Sequence, residues 1–166
     1  MAQLRQSMGS VDLSLPNELD LLQAAGRVAL AHGQLELMLR MTIKSLAGLT
    51  IQEVLHATRK SKNWDLRNEI VAHFNSKTKN PALRLKLKAI LGKCEHLSEE
   101  RNRLLHNAWA IAEDGSVVMK GSNHVWGPAP TPHDLNVLAE ELNAQVSILN
   151  RERLDGFIRD VLEDPH

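Results

Sequence analysis

Residues 18–48 read ELDLLQAAGRVALAHGQLELMLRMTIKSLAG. Within them Leu21, Ala25, Val28, His32, Leu35, Leu39, Thr42 and Leu46 recur at steps of three and four. Successive helical residues lie about 100° apart around the axis, so this spacing lines one face of an amphipathic helix. Gly48 is a suitable stop, because glycine adopts the left-handed cap conformation without strain. A helix with so long an apolar face needs other elements to cover it. The stretch therefore predicts a helical bundle.

The rest of the chain supplies those elements. Pro16 and Asn17 open the first helix. Thr50 caps a short helix running to about residue 59. A basic connection over residues 60–63 leads to a third helix over residues 64–76, with Trp64 as its anchor and Asp65 and Arg67 in its first turn. Asn80-Pro81 is a strong helix start, with Asn as cap and Pro in the first turn. The fourth helix runs from there to about residue 107. Its stripe is Leu83, Leu87, Ile90, Cys94, Leu97, Arg101, Leu104 and Ala108. Arg101 thus stands where the pattern asks for an apolar side chain.

The period then changes. Residues 109–121, WAIAEDGSVVMKG, place short apolar runs on both sides of Asp114-Gly115, a hairpin signal. Residues 123–132 read as an irregular loop rich in Gly and Pro. Thr131-Pro132 starts the last helix, with Leu135, Leu138, Leu142, Val146 and Leu149 on one face and a bend near Gly156 before Glu163. The expected fold is mostly α: a single-domain helical bundle of about five helices over residues 15–164, with a small β-hairpin before the last helix. Residues 1–14 read as a flexible N-terminal tail.

Composition narrows the function classes. The 166 residues carry 20 Lys and Arg against 20 Asp and Glu, so no global field attracts nucleic acid or membrane. One cysteine, Cys94, excludes an intramolecular disulfide and suits a reducing, cytoplasmic compartment. The first sixteen residues, MAQLRQSMGSVDLSLP, lack the apolar core of a signal peptide. No 18-residue apolar run is present to span a membrane. With no Tyr and few other aromatics, a base-stacking platform is not expected.

The charges are unevenly laid out. From Arg59 to Lys93, ten basic residues (59, 60, 62, 67, 77, 79, 84, 86, 88 and 93) face only Asp65 and Glu69. From Thr131 onward, eight acids face three Arg. Such runs are either solvated faces or, for the basic one, a phosphate-contacting surface in which Lys60, Lys62 and Lys86 are candidates.

The stretch that bears most on function is residues 99–109, EERNRLLHNAW. Asn102 and His106 are four residues apart and share a helix face. Arg101 and His106 are five apart, about 140° around the axis, so on a straight helix they flank a cleft rather than touch. A buried Arg needs a partner. Arg101 must therefore extend to solvent, meet a carboxylate such as Glu36, or line a cavity that takes an anion. An Arg that stabilises phosphate charge and a His that moves protons near neutral pH form a minimal kit for phosphodiester cleavage.

Arg101-Asn102-Arg103-Leu104-Leu105-His106 resembles the signature of the HEPN superfamily: Arg, a polar residue, then His after four to six residues in between. The RNxxxHxxW run followed by a hairpin and a long final helix is similar to a common bacterial subgroup, as is the first helix with Glu36 in GQLELMLRM. The resemblance covers roughly residues 17–162; its specific part is the motif. It implies a small helical bundle and a metal-independent endoribonuclease whose active site is composite, built from two motifs at a homodimer interface. Arg101 would bind and polarise the phosphate, His106 would act as general base or acid, and Asn102 would orient them. Arg103 would join the phosphate contacts. Products would carry 2',3'-cyclic phosphate ends. The resemblance also admits a toxin or defence role with an antitoxin protein as partner. Many such domains are instead non-catalytic dimerisation or nucleotide-binding modules, and both readings stand at this point.

No cofactor is expected, since there is no cysteine pair, Gly-rich phosphate loop or nucleophile elbow. Glu53 and His56 match half of a di-iron pattern, but no second copy follows. Glu69 and His73 read as a surface pair, His32 as a satisfied core histidine, and Cys94 as a packing residue.

Overall fold

The computed structural model describes residues 11–121 and 123–163. They form α1 (Leu19–Ala47), α2 (Ile51–Ala57), α3 (Asn63–Lys77), α4 (Pro81–His106), β1 (Trp109–Ile111), β2 (Val117–Lys120), β3 (Trp126–Pro128), α5 (Pro132–Leu154) and α6 (Phe157–Glu163). The mostly α bundle with a small β insertion before the last helix is as expected. The bend expected at Gly156 is a break between α5 and α6, so the last expected helix is two elements.

Local chemistry sets the helix ends. Thr50 Oγ1 accepts from the Glu53 amide at 3.3 Å, and the Thr50 amide donates to Glu53 Oε2 at 2.7 Å. This reciprocal capping occupies Glu53 at the start of α2. Thr131 and Asp134 repeat the arrangement on α5. Asn80 Oδ1 accepts from the Ala82 and Leu83 amides, and Gly48 ends α1 in the left-handed conformation at φ 69°.

The core lies where α1 packs along α5, with α3, α4 and α6 closing around them. Leu35, Leu39, Ile43, Leu97, Leu142 and Leu149 are fully buried. Each such side chain contributes roughly 1.5–3 kcal/mol. Phe74 of α3 meets Phe157 of α6 edge to face, centroids 5.7 Å apart. Trp64 does not anchor α3: it is 63% exposed. The buried face of α3 is Leu66, Ile70 and Phe74, and a residue two before Leu66 points about 200° away from it.

The hairpin at Asp114-Gly115 forms, pairing Trp109 with Met119 and Ile111 with Val117. It gains a third strand where the Gly- and Pro-rich sequence predicts an irregular loop: β3 pairs with β2, Met119 opposite Gly127. On the other edge, Asp12 and Ile111 exchange backbone hydrogen bonds of 2.9 and 2.8 Å. Asp12, within the segment read as a tail, is thus tied to the sheet; residues 1–10 lie outside the described residues. Trp109 Nε1 donates to the Leu104 carbonyl at 2.8 Å, satisfying an orphan acceptor at the end of α4. Among the described residues, no helix is long and apolar enough to cross a membrane.

Candidate functional site

The Arg101–His106 motif occupies the final turns of α4. The seam between α4 and α1 decides its surroundings. Ser98 of α4 stands opposite His32 of α1, Nε2 to Oγ 3.3 Å. Ser98 Oγ gives its only proton to the Cys94 carbonyl at 2.8 Å. His32 must therefore donate from Nε2, which fixes the neutral tautomer. Burial lowers the His32 pKa from its ordinary value, and the nearby Arg101 charge lowers it further against a smaller opposing effect of Glu36. The bland reading of His32 as a satisfied core residue holds, and His32 is also the electrostatic neighbour of Arg101.

Arg101 is half-buried. Its Nη1 donates to Asn102 Oδ1 at 2.9 Å, and its buried Nε has no hydrogen-bond partner among the described residues. Glu36 does not pair with it. That carboxylate faces Arg40 at 3.8 Å and His32 Nδ1 at 4.0 Å. Asn102 Oδ1 is engaged with Arg101 rather than with His106, and His106 is exposed as the last residue of α4. The motif is thus a half-buried guanidinium, a polar side chain that orients it, and a solvent-facing imidazole. An anion at this seam would meet Arg101 beside a neutral His32, so no second positive charge is fixed there.

The outlying basic candidates divide. Arg103 pairs with Glu100 at 2.7 Å on the surface. Lys60 and Lys62 are exposed between α2 and α3. Lys86 pairs with Glu152 at 3.4 Å and lies over the Phe157 ring at 4.5 Å, so it faces the α5–α6 junction. It precedes Arg101 by four helical turns, about 22 Å along the axis. Other members of the basic run serve the fold. Arg67 is buried against Asn63 and Glu95, the latter at 2.6 Å. Arg84 donates to the Asn75 and Thr78 carbonyls, and Lys93 pairs with Glu141 at 2.7 Å.

A cavity of about 220 Å³ adjoins the end of α4, walled by Leu21, Ala25, Val28, Leu104, Trp109 and Leu135. Its walls are apolar, so it offers nothing to a phosphate. Glu69 and His73 form the expected loose pair at 3.8 Å, and burial pushes the Cys94 thiol up to about 11. Among the described residues, no three His, Cys, Asp or Glu side chains are grouped to hold a metal ion. The joining of His32, Ser98 and Arg101 is not evident from the sequence. The available signal was a polar residue in the apolar stripe of each helix.

No protein-family model, curated protein or solved structure matches the chain.

Proposed function

We propose that this chain is an endoribonuclease of the HEPN type, acting without a metal ion through a composite site at a homodimer interface. One observation carries the reading. Arg101 sits half-buried with its Nε unpartnered and no carboxylate paired to it among the described residues. A buried guanidinium N–H left so is better satisfied by a phosphate oxygen than by the fold. Exposed His106, one and a half turns on, supplies the proton chemistry.

In this scheme the ribose 2'-hydroxyl oxygen attacks phosphorus, and the bond to the 5' oxygen breaks. A His106 imidazole takes the hydroxyl proton, and a second, from the other chain, returns a proton to the leaving oxygen. Arg101 stabilises the charge that builds on the phosphoryl oxygens. The products are a 2',3'-cyclic phosphate and a 5'-hydroxyl. A toxin or defence role in the cytoplasm, held in check by an antitoxin protein, belongs to this reading. The alternative is a dimerisation or nucleotide-binding module without turnover. The contact of Arg101 with Asn102, beside buried His32, favours it.

The test is incubation with total RNA in EDTA, beside His106→Ala and Arg101→Ala, with end-group analysis. Cutting by the wild type alone, leaving cyclic phosphate ends, is expected. Equal cutting by His106→Ala overturns the proposal, and nucleotide binding without cutting selects the module.

A further inference from the structure

The outer face of α1 is apolar, and its leucines are left exposed by the described residues. Leu19, Leu22, Leu30 and Leu37 are all exposed, Leu19 by 80% and Leu30 by 73%. With Gly26 and Gly33 they recur at steps of three and four on the side opposite Val28, Leu35 and Leu39. Glycine weakens a helix interior, and here it serves no internal packing: a Cβ at residue 26 or 33 would meet nothing within 4 Å. Gly92 on α4 is equally open, but Lys88, Glu95 and His96 surround it on its helix face, with no leucine stripe.

We infer that this face is covered by α1 of a second copy of the chain, the two helices running antiparallel. The order Leu22, Gly26, Leu30, Gly33, Leu37 is nearly a palindrome. A two-fold axis between Ala29 and Leu30 sets Leu22 against the partner's Leu37 and Gly26 against the partner's Gly33. It also sets Leu30 beside the partner's Leu30. Paired glycines let the backbones approach closely while the leucines interlock across them. Charge selects the direction. The start of α1 carries Glu18 and Asp20, and its end carries Arg40 and Lys44. Antiparallel packing joins acidic to basic ends and opposes the helix dipoles favourably, whereas parallel packing joins like to like. Such an interface is isologous, as a two-fold dimer requires.

The arrangement also bears on the motif. Ser98 lies opposite His32, and Leu104 shares a cavity with Leu21 and Val28, so α4 runs antiparallel to α1. Arg101 then lies near the level of the two-fold axis. Because a two-fold keeps equivalent flanks on one side, both copies of Arg101 fall on the same flank of the helix pair. The inference rests on the α1 face and not on ribonuclease chemistry. The two readings share only the homodimer.

The test reads mass without RNA. Wild-type protein is expected to sediment as a dimer. Leu30→Glu, which places two like charges at the axis, should weaken association by about 100-fold or more while leaving the circular dichroism melt in place. Direction is read with a short bis-maleimide, since the native Cys94 is buried. A mixture of Leu22→Cys and Leu37→Cys chains should cross-link, and neither alone. A monomeric wild type at about 100 μM, a tight dimer that survives Leu30→Glu, or efficient linking of Leu22→Cys to itself each overturns the inference.

Discussion

His32 of α1 and Ser98 of α4 hold each other across the helix seam at 3.3 Å, and because Ser98 gives its proton to the Cys94 carbonyl, the imidazole donates from Nε2. A buried, neutral histidine beside Arg101 makes the fold sensitive to acid.

The sign follows from linkage. Burial and the Arg101 charge lower the folded-state pKa of His32 from 6.5. As pH falls below 6.5, the unfolded chain takes up this proton before the folded chain does. The stability is fully present above about pH 6.5 and is lost as pH falls toward the folded value. The melting temperature should drop over that interval, and His32→Gln, which keeps a donor for Ser98 without a titrating group, should flatten the drop. Identical slopes for the two proteins would remove His32 as the cause.

Arg67 is buried in α3, and its partner Glu95 is half exposed on α4. Removing the carboxylate leaves the guanidinium with Asn63 alone. Solvent around Glu95 moderates the loss, so Glu95→Ala should cost about 1–2 kcal/mol in urea unfolding. Neutralising Lys93 or Glu141, an exposed pair, should cost less than about 1 kcal/mol. Equal losses at the two pairs would show that burial of Arg67 is not what matters.

Gly156 separates α5 from α6 where a side chain has no room. A Cβ there would lie 2.2 Å from Glu152 Oε2 and 2.8 Å from Glu152 Cα. The carboxylate can swing away but the backbone cannot, so Gly156→Ala should destabilise by about 1–3 kcal/mol. Gly92→Ala, in open space on α4, should stabilise by up to about 1 kcal/mol. Denaturant midpoints of the two variants should therefore move in opposite directions, and a shared direction would refute the steric account.

What was legible in the sequence is what short-range physics controls. The stripe of α1, the Asn80-Pro81 start, the Thr50 and Thr131 caps and the Asp114-Gly115 turn all depend on residues within a few positions of one another. The strand at Trp126–Pro128 was not legible, because Gly127 and Pro128 are poor strand formers and β2 supplies the pairing. Trp64 misled because a large apolar residue suggests an anchor whichever way it points. Arg67 read as part of a basic run because its partner lies 28 residues away. The motif itself was visible as Arg101 in an apolar slot. Its setting was not, since His32 and Ser98 meet only once α1 and α4 are packed.

The packing of α1 along α5 has a consequence for synthesis. α1 is covered by α5, which is synthesised after it: Arg27 bonds Asn136 and Ser45 bonds Arg153, partners 109 and 108 residues apart. At about 5–20 residues per second, the inner face of α1 waits roughly 5–20 s for its main cover to leave the ribosome. During that interval Leu35, Leu39 and Ile43 depend on α3 and α4 for shelter, and a nascent chain halted before Pro132 would present them to chaperones.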